Sequence, residues 1–317
     1  MNAMTKKLLL ILNPRSGRCK GAKRLNEVIQ VAQNRGYFPS VLITQKAGDA
    51  EEFARLYGGQ ADLVACIGGD GTFSEVASGI IHGGHDVPLG YIPAGSTNDY
   101  ATSLGLSADM KVAAEDMFDG IIKPFDVGCL DGRHFTYVTA FGMPAKASYS
   151  APQDLKNLFG HFAYILEGIY DLRSLKAEHA RIEMDEETVE GDYLMGTISN
   201  TTSIGGILQF DPDDVLLNDG YLELMLVSKP TNIKDFSQLI SAVTSKKYTD
   251  CNCITFRKTR SLKISADKPM PWTVDGEFME DCQAAEVCAI ANAIRVVVPR
   301  ENRRHKAAKK IVEQTAE

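Results

Sequence analysis

The chain lacks the features of a membrane-spanning, secreted or nucleic-acid-binding protein. No apolar run approaches the ~18 residues that a membrane-spanning helix needs, and the longest block, residues 8–12, has only strand length. That block leads into Asn-Pro-Arg and not into a small-residue cleavage site, so we expect no signal peptide. The seven cysteines are scattered without a CxxC pair, which argues against a disulfide framework and a zinc ribbon. The net charge of −7 argues against nucleic-acid binding. We therefore expect a cytoplasmic protein.

What is present is an ordinary globular composition, with 44% hydrophobic and 24% charged residues. The length of 317 residues predicts two domains. In residues 1–125, strand-like and helix-like segments alternate, which predicts an α/β domain with a parallel sheet and helices on both sides. Residues 126–299 favour a β-rich, antiparallel domain, and residues 300–317 form a basic tail.

Periodicity also predicts individual elements. Ser107 is the expected cap of a helix that Gly120 ends. A hairpin turning at Asp131-Gly132 is predicted to pair residues 121–130 with residues 134–141. In the second domain we expect helices over residues 155–172 and 233–246, and strands that include 221–227, 253–256, 261–265, 270–274 and 294–298.

The strongest local motif is Cys-Ile-Gly-Gly-Asp-Gly-Thr at residues 66–72, between a predicted strand and a predicted helix. Glycines there let the backbone approach a phosphate, and the helix N-terminus favours an anion. A carboxylate in such a loop repels phosphate unless it holds a metal ion, so Asp70 implies Mg²⁺. The alternative is a strand-to-helix turn in which Asp70 is only a cap. The motif is neither G-x-G-x-x-G nor a Walker A loop.

Three further polar, glycine-bearing loops are predicted to follow strands. They are Asn-Pro-Arg-Ser-Gly at residues 13–17, Pro-Ala-Gly-Ser-Thr-Asn-Asp at 93–99 and Val-Asp-Gly-Glu at 274–277. In an open α/β sheet, ligands bind at the carboxyl ends of the strands. Taken without the other motifs, residues 274–277 read as a surface hairpin turn.

In this order, the four motifs resemble those of the bacterial soluble diacylglycerol kinases and the YegS-like lipid kinases, over about residues 6–299. The resemblance implies an α/β N-terminal catalytic domain of the NAD kinase/diacylglycerol kinase type, a β-rich antiparallel C-terminal domain, and ATP in a cleft between them. Residues at positions that the family uses for the nucleotide and its metal are Asn13, Pro14, Arg15, Ser16, Gly17, Thr44, Gly68, Gly69, Asp70, Gly71, Thr72, Glu75, Ser96, Asn98 and Asp99. Ser96 replaces the usual threonine and keeps its hydroxyl.

The same resemblance places the proton acceptor at Glu277. A lipid hydroxyl must lose a proton as it attacks the γ-phosphoryl group, and a carboxylate in hydrogen-bond reach can accept it. If the segment is extended, Asp275 lies on the same strand face, as a second candidate base or as the partner that orients Glu277. Asp70, with Asp99, is implied to hold the catalytic Mg²⁺.

A structural Mg²⁺ is also implied, bound by Asp219 and by backbone oxygens of Leu216 and Tyr221. Asp211, Asp213 and Asp214 are interpreted as solvated turn residues, and an acidic turn without an ion is the alternative.

The substrate side is less defined by the sequence. An apolar stripe in residues 155–172 is typical of core, while Lys156 and Arg18 are candidates for a lipid headgroup and residues 149–153 for a mobile cover. The resemblance predicts an ATP- and Mg²⁺-dependent lipid kinase that converts diacylglycerol to phosphatidic acid at a membrane surface. An NAD kinase-like enzyme and a non-catalytic nucleotide-binding regulator are the rivals. The sequence leaves open whether the chain forms a homodimer and whether its tail contacts the inner face of the membrane.

Overall fold

A computed structural model describes residues 6–142, 175–201, 203–204, 208–209, 216–245 and 248–300. The chain divides into two compact units. The first contains the described residues up to Phe125 together with those from Ala293 onward, and the second is Asp126–Asn292. Residues 293–299 therefore belong to the first unit, whereas the sequence analysis placed them in the second domain.

In the first unit, strands alternate with helices. The strands are β1 Lys6–Leu12, β2 Tyr37–Ile43, β3 Leu63–Gly68 and β4 Leu89–Pro93, and the helices are α1 Lys20–Asn34, α2 Asp49–Tyr57, α3 Asp70–His82, α4 Asp99–Ser103 and α5 Met110–Asp119. Short 3₁₀ turns occupy Ser16–Cys19 and Gly58–Gln60. The strands pair in the order β2-β1-β3-β4, each pair parallel. Val296, near the end of the chain, pairs in parallel with Leu89 of β4.

Every residue of β3 and β4 is buried, as a central parallel sheet requires. One core cluster lies between β1, β3, α1 and α5 and includes Leu10, Ala65, Val28 and Ala113. On α3, Gly79 allows close packing against α2, because a Cβ there would lie 2.2 Å from the carbonyl oxygen of Glu51. The parallel order brings the carboxyl ends of β1, β2, β3 and β4 to one edge of the sheet.

The α5 cap differs from the prediction. The Asp109 carboxylate accepts the N–H groups of Lys111 and Val112, at 2.8 and 3.2 Å. The Ser107 hydroxyl instead accepts the N–H of Asp109. Asp109 is the last residue before the first helical turn, which is where a side-chain cap satisfies the free N–H groups.

The second unit is mainly antiparallel. Strand β5 Ile121–Leu130 starts in the first unit and continues into the second. The strands that follow are β6 Arg133–Phe135, β7 Val138–Gly142, β8 Glu178–Met184, β9 Thr188–Ser199, β10 Ser203–Ile204, β11 Leu208–Gln209, β12 Leu222–Ser228, β13 Ile254–Thr259, β14 Ser261–Val274 and β15 Glu277–Val298, the last of which ends in the first unit. Helix α6 is Ile233–Ser245, and Tyr248–Asp250 form a 3₁₀ turn. Strands β9 and β14 each pair with both β7 and β8. Trp272 of β14 is fully buried in the hydrophobic core of this unit.

Three strand predictions were incomplete. Residues 134–141 do not form one strand, because Thr136 and Tyr137 separate β6 from β7. The two segments predicted at 261–265 and 270–274 belong to one strand, β14, whose register shifts between Ser265 and Met270. Strand β15 begins at Glu277 and not at residue 294, and its mixture of exposed and buried positions hid it from a hydrophobicity pattern.

Candidate active site

The phosphate-binding motif lies at the junction of β3 and α3. Gly68 ends β3, and a Cβ on it would lie 2.5 Å from the Thr72 side chain, so only glycine fits this close approach. Gly69 precedes α3 in extended conformation, and Asp70 is the first helical residue. The N–H groups of the first turn of α3 therefore begin at this motif.

The loop after β1 lies beside this motif. The Asn13 backbone N–H donates to the carbonyl of Ile67 at 2.9 Å, and the Asn13 Nδ2 donates to the Thr72 hydroxyl at 3.0 Å. The Asn13 Oδ1 accepts the N–H of Arg15 at 3.0 Å. The side chain of Asn13 thus joins the first two predicted loops.

The loop after β4, residues 93–99, contacts both of these loops. Gly17 has φ of +50°, and a Cβ on it would lie 1.9 Å from the Ala94 carbonyl oxygen. A Cβ on Gly95 would lie 2.6 Å from the Cα of Gly69. Asn98, with φ of +56°, closes this loop on itself, because its amide both accepts the N–H of Gly95 and donates to its carbonyl. The structure therefore brings together three of the four predicted loops.

The Asp70 carboxylate is held from three directions. Its Oδ2 accepts the N–H of Asp99 at 2.9 Å, and its Oδ1 accepts the N–H of Tyr100 at 3.2 Å and the hydroxyl of Tyr91 at 3.1 Å. Burial, and after it the nearby Asp99 carboxylate, raise the pKa of Asp70 to about 7, although the three donors oppose the rise.

This pair of carboxylates fits a bound Mg²⁺. Asp99 is only 5% exposed, and its charge acts directly on Asp70. A cation between or beside two such carboxylates relieves the repulsion that raises the Asp70 pKa. The described residues contain no group of three His, Cys, Asp or Glu side chains that could hold a metal. Two carboxylates suit a Mg²⁺ ion whose other ligands are phosphates and water.

Thr44 and Glu75, two predicted nucleotide contacts, lie outside the three loops. The Thr44 N–H donates to the carbonyl of Leu12, the residue before Asn13, which places Thr44 at the same sheet edge. The Glu75 carboxylate accepts the N–H of Ala50 at the start of α2. Pro14, Arg15, Ser16 and Ser96 lie in the loops described above, with Arg15 and Ser96 exposed.

In the second unit, Asp275 and Gly276 form a tight turn between β14 and β15. Val274 pairs with Glu277, and both turn residues have positive φ, +47° and +86°, as a type I′ turn requires. The segment is therefore not extended, and the expectation that Asp275 and Glu277 share a strand face is wrong.

The Asp275 carboxylate accepts three backbone N–H groups, from Thr136, Tyr137 and Val138, at 2.9 to 3.2 Å. These bonds hold the backbone at the break between β6 and β7, which explains why residues 134–141 are not one strand. The Glu277 side chain is 59% exposed, and its Oε2 lies 2.5 Å from Nη2 of Arg133. Asp275 is a structural anchor, whereas Glu277 is open to an incoming group.

The predicted structural-metal loop also lies in the second unit. The Oδ1 of Asp219 accepts the N–H of Tyr221, and its Oδ2 lies 2.6 Å from the Lys258 ammonium. Glu223 is buried close by, and neither of its carboxylate oxygens has a hydrogen-bond partner within the described part of the chain. Burial raises the pKa of Glu223 to about 8, although Lys258, 3.8 Å away, opposes the rise.

The buried Glu223 carboxylate beside Asp219 has lone pairs that no hydrogen bond from the described residues uses, and its ion pair with Lys258 is long, at 3.8 Å, so these residues fit a bound Mg²⁺. The backbone of the loop is held independently by the buried Asp126, whose Oδ2 accepts the N–H of Gly220 at 2.6 Å. Leu216, the first described residue of this loop, is exposed.

Sequence reasoning missed three side chains of these sites. Tyr91 donates to Asp70, Arg133 pairs with Glu277, and Lys258 pairs with Asp219. None lies in a motif, because each reaches its partner across strands that are distant in sequence.

Several candidates fall outside the described residues. These are Lys156, residues 149–153 and 155–172, Asp211, Asp213, Asp214 and the tail from residue 301, and the side chain of Arg18 is likewise not described. No helix in the portions of the chain that the structure describes is long and apolar enough to cross a membrane.

Comparison with known proteins covers nearly the whole chain. Residues 7–130 match the family model of the diacylglycerol kinase catalytic domain, and residues 137–298 match that of the YegS C-terminal NAD kinase beta sandwich-like domain. The chain is 32% identical to a diacylglycerol kinase of Bacillus subtilis, over 93% of this chain and 97% of that protein. It is 33% identical to one from Staphylococcus epidermidis, over 87% of each. A solved diacylglycerol kinase structure from Bacillus anthracis has the same fold, with a TM-score of 0.71 at 22% identity over 92% of this chain and 97% of that one.

Proposed function

The chain belongs to the diacylglycerol kinase family, and from this premise we propose that it transfers the γ-phosphoryl group of ATP to the hydroxyl of a lipid, diacylglycerol, to give phosphatidic acid. The observation that carries the proposal is the meeting of three loops around Asp70. Residues 13–17, 68–72 and 93–99 approach one another so closely that Gly17, against Ala94, and Gly95, against Gly69, have no room for a Cβ.

Such a cradle supports nucleotide binding through its backbone. The first-turn N–H groups of α3 and the positive end of its dipole favour the ATP phosphates. Gly71 faces open space, with nothing within 4 Å of the position of a Cβ, so a phosphate can approach the backbone there. Asn13 and Asn98 hold the flanking loops in place.

Asp70 and Asp99 are the proposed holders of Mg²⁺. When bound, Mg²⁺ neutralises phosphate charge and orients the γ-phosphoryl group for in-line transfer. The protein's contribution is to fix the Asp70 carboxylate with three donors, so that it need not reorganise during the reaction.

Glu277 is the proposed general base. Its exposed carboxylate accepts the proton of the lipid hydroxyl while the hydroxyl oxygen bonds to the γ-phosphorus and the bond to the β–γ bridging oxygen breaks, releasing ADP. Arg133 restrains the Glu277 side chain. Asp275, whose carboxylate is engaged by three backbone N–H groups, stabilises the turn that presents Glu277 and does not take the proton.

Because diacylglycerol resides in membranes, we place the reaction at a membrane surface on the cytoplasmic side. We also propose that Leu216, Asp219 and Tyr221 hold a structural Mg²⁺ that supports the second unit. The buried Glu223 carboxylate, which accepts no hydrogen bond from the described residues, supports this assignment.

A single panel of acceptors tests the function. The wild type is incubated with radiolabelled ATP and Mg²⁺, together with detergent-dispersed diacylglycerol, sphingoid bases, phosphatidylglycerol or NAD. We expect labelled phosphatidic acid from diacylglycerol. Label in NAD alone supports the NAD kinase-like alternative, and ATP binding without label in any acceptor supports a non-catalytic regulator.

Two variants control this panel. Asp70→Asn should lose at least ~10²-fold in turnover, as for other electrostatic catalytic groups. Asp86→Asn, in the loop before β4 where Asp86 pairs with Arg295, should retain activity. Near-normal turnover by Asp70→Asn would remove Asp70 from the mechanism.

A further inference from the structure

Tyr91 is a buried tyrosine whose hydroxyl contacts the Asp70 carboxylate. It lies in β4 with 1% of its surface exposed, and its hydroxyl donates to the Oδ1 of Asp70 at 3.1 Å. The same hydroxyl lies 3.5 Å from the Oδ1 of Asn98. It thus contacts the phosphate loop and the loop after β4 at once.

The ring of Tyr91 has little freedom to move away. It stacks on Phe73 of α3, with centroids 4.9 Å apart and planes inclined by 27°. Phe73 also packs against Tyr100, at 5.3 Å between centroids. Since all three rings are fully buried, the hydroxyl of Tyr91 is fixed by packing and not by its hydrogen bonds alone.

The donors are divided unequally between the two oxygens of Asp70. Oδ1 accepts two bonds, from the Tyr91 hydroxyl and the Tyr100 N–H, which uses both of its lone pairs. Among the described residues, Oδ2 accepts only the Asp99 N–H. Oδ2 is therefore the oxygen of Asp70 with capacity left for a cation or a water molecule.

We propose that Tyr91 is a positioning residue that makes Asp70 present one oxygen, Oδ2, to the metal and thereby favours Mg²⁺ over the larger Ca²⁺; this deepens the proposed function and rests on it. Mg²⁺ needs a near-octahedral set of single oxygens, whereas Ca²⁺ readily takes both oxygens of a carboxylate. With Oδ1 saturated, binding through both oxygens requires breaking hydrogen bonds.

A purely structural role for Tyr91 predicts something else. A buried hydroxyl needs an acceptor, and Asp70 is simply within reach. In that case removing the hydroxyl changes the melting temperature and leaves the preference between metals unchanged. The metal preference therefore separates the two roles.

The test compares Tyr91→Phe with Tyr100→Phe. Both remove one hydroxyl from the same aromatic cluster, but Tyr100 contacts Asp70 through its backbone N–H, which the substitution keeps. ATP binding to the full chain is measured by calorimetry with saturating MgCl₂ or CaCl₂, alongside thermal melts and kcat and KM with Mg²⁺.

For Tyr91→Phe we expect the ratio of the affinities with Mg²⁺ and with Ca²⁺ to fall roughly tenfold, and kcat to fall ~10–100-fold, the usual range for a residue behind a metal ligand. Tyr100→Phe should keep the wild-type metal ratio, whatever the melting temperatures of the two variants. An unchanged ratio in Tyr91→Phe, or an equal change in both variants, overturns the proposal.

The outcomes also separate this inference from the proposed function. If the wild type binds ATP with metal but phosphorylates no lipid, the proposed function fails, and the calorimetric ratio still decides the role of Tyr91. If the wild type binds ATP with neither metal, both proposals are overturned.

Discussion

At the scale of single residues, Asp70 shows how surroundings set chemistry. Burial and the Asp99 carboxylate raise its pKa to about 7, while three donors hold it in one orientation. A group in this state at neutral pH responds strongly to a neighbouring cation, because the cation favours the ionised form. The Glu277 carboxylate differs from that of Asp70 because it is exposed and forms an ion pair with Arg133.

The raised pKa of Asp70 predicts a pH-dependent stability. The unfolded-state value is close to 3.8 and the folded value is about 7, so the folded protein binds the extra proton between these limits. Asp70 therefore stabilises the fold most at low pH, and this contribution is lost as the pH rises towards 7. In metal-free buffer, the melting temperature of the wild type should fall relative to that of Asp70→Asn between pH 5 and about 7.

Added Mg²⁺ should narrow this difference between the wild type and Asp70→Asn, because it stabilises the ionised carboxylate. Thermal melts at several pH values, with EDTA or MgCl₂, measure both effects. A constant difference between the two proteins across this pH range contradicts the raised pKa.

Substitutions of Asp275 and Glu277, the two carboxylates at the β14–β15 turn, should have different effects on stability and on activity. Asp275→Asn leaves backbone N–H groups of residues 136–138 poorly satisfied, so we expect the free energy of unfolding to fall by about 1–3 kcal/mol. Glu277→Gln removes only an exposed ion pair, so stability should change by less than about 1 kcal/mol.

Activity should show the reverse order. Glu277→Gln cannot accept a proton and should lose ~10²-fold or more in kcat, while its ATP affinity stays near the wild-type value. Denaturant melts and steady-state kinetics on both variants give the answer. A stable but inactive Asp275→Asn together with an active Glu277→Gln means that the two roles are exchanged.

At the scale of secondary-structure elements, the site depends on where strands end. Strands β1, β3 and β4 are adjacent and parallel, so the loops that follow them meet at one edge. Glycine is required where those loops touch, as at Gly17 against Ala94 and Gly95 against Gly69. Helix α3 contributes its N-terminus at the same point.

Two glycine substitutions should therefore act in opposite ways. Gly17→Ala places a Cβ 1.9 Å from the Ala94 carbonyl oxygen at a positive φ, and should lower stability and ATP affinity together. Gly71→Ala meets nothing within 4 Å and lies in a helix, so its melting temperature should equal or exceed that of the wild type.

ATP should nevertheless bind several-fold more weakly to Gly71→Ala, since the new methyl group occupies the space proposed for phosphate. Calorimetry with ATP and thermal melts measure the two effects. Wild-type ATP affinity in Gly71→Ala would place the phosphates elsewhere.

At the scale of the whole molecule, the chain forms two units that differ in construction. One is an α/β unit with parallel strands, and the other is mainly antiparallel. The chain passes between them after Phe125 and again after Asn292. Each unit has its own hydrophobic core, so we expect the two units to unfold in separate transitions.

A structural Mg²⁺ predicts that metal stabilises the second unit. Mg²⁺ should raise the melting temperature of the wild type, by an amount equivalent to about 2.7 kcal/mol at a concentration 100 times Kd. Asp219→Ala should abolish the part of this increase that belongs to the transition of the second unit, since it removes the carboxylate ligand there and leaves Asp70 in the first unit unchanged. Lys258→Met should enlarge it, because Lys258 competes for the Asp219 Oδ2.

These three proteins are compared by calorimetric scans with MgCl₂ or EDTA, and the transition of the second unit is followed through the buried Trp272. Equal responses to Mg²⁺ in all three remove the metal from this loop and leave the Asp219–Lys258 ion pair as its support.

The sequence by itself determined the elements and the loops that carry chemistry. Alternating apolar segments indicated the helices and strands of the first unit, and polar glycine-bearing motifs marked the loops after β1, β3 and β4, because both signals are local in the chain. The same motifs identified the family. The sequence did not reveal β15 from Glu277 onward, since half-exposed strands have no clear hydrophobic alternation.

Only the tertiary structure decided which side chains meet across distant strands. The contacts of Tyr91 with Asp70, Arg133 with Glu277, and Lys258 with Asp219 depend on strand order and register, which no local pattern encodes. Asp275 shows the difference most directly. Its motif suggested chemistry, but folding brings its carboxylate to three backbone N–H groups about 137 to 139 positions away in sequence, and makes it an anchor.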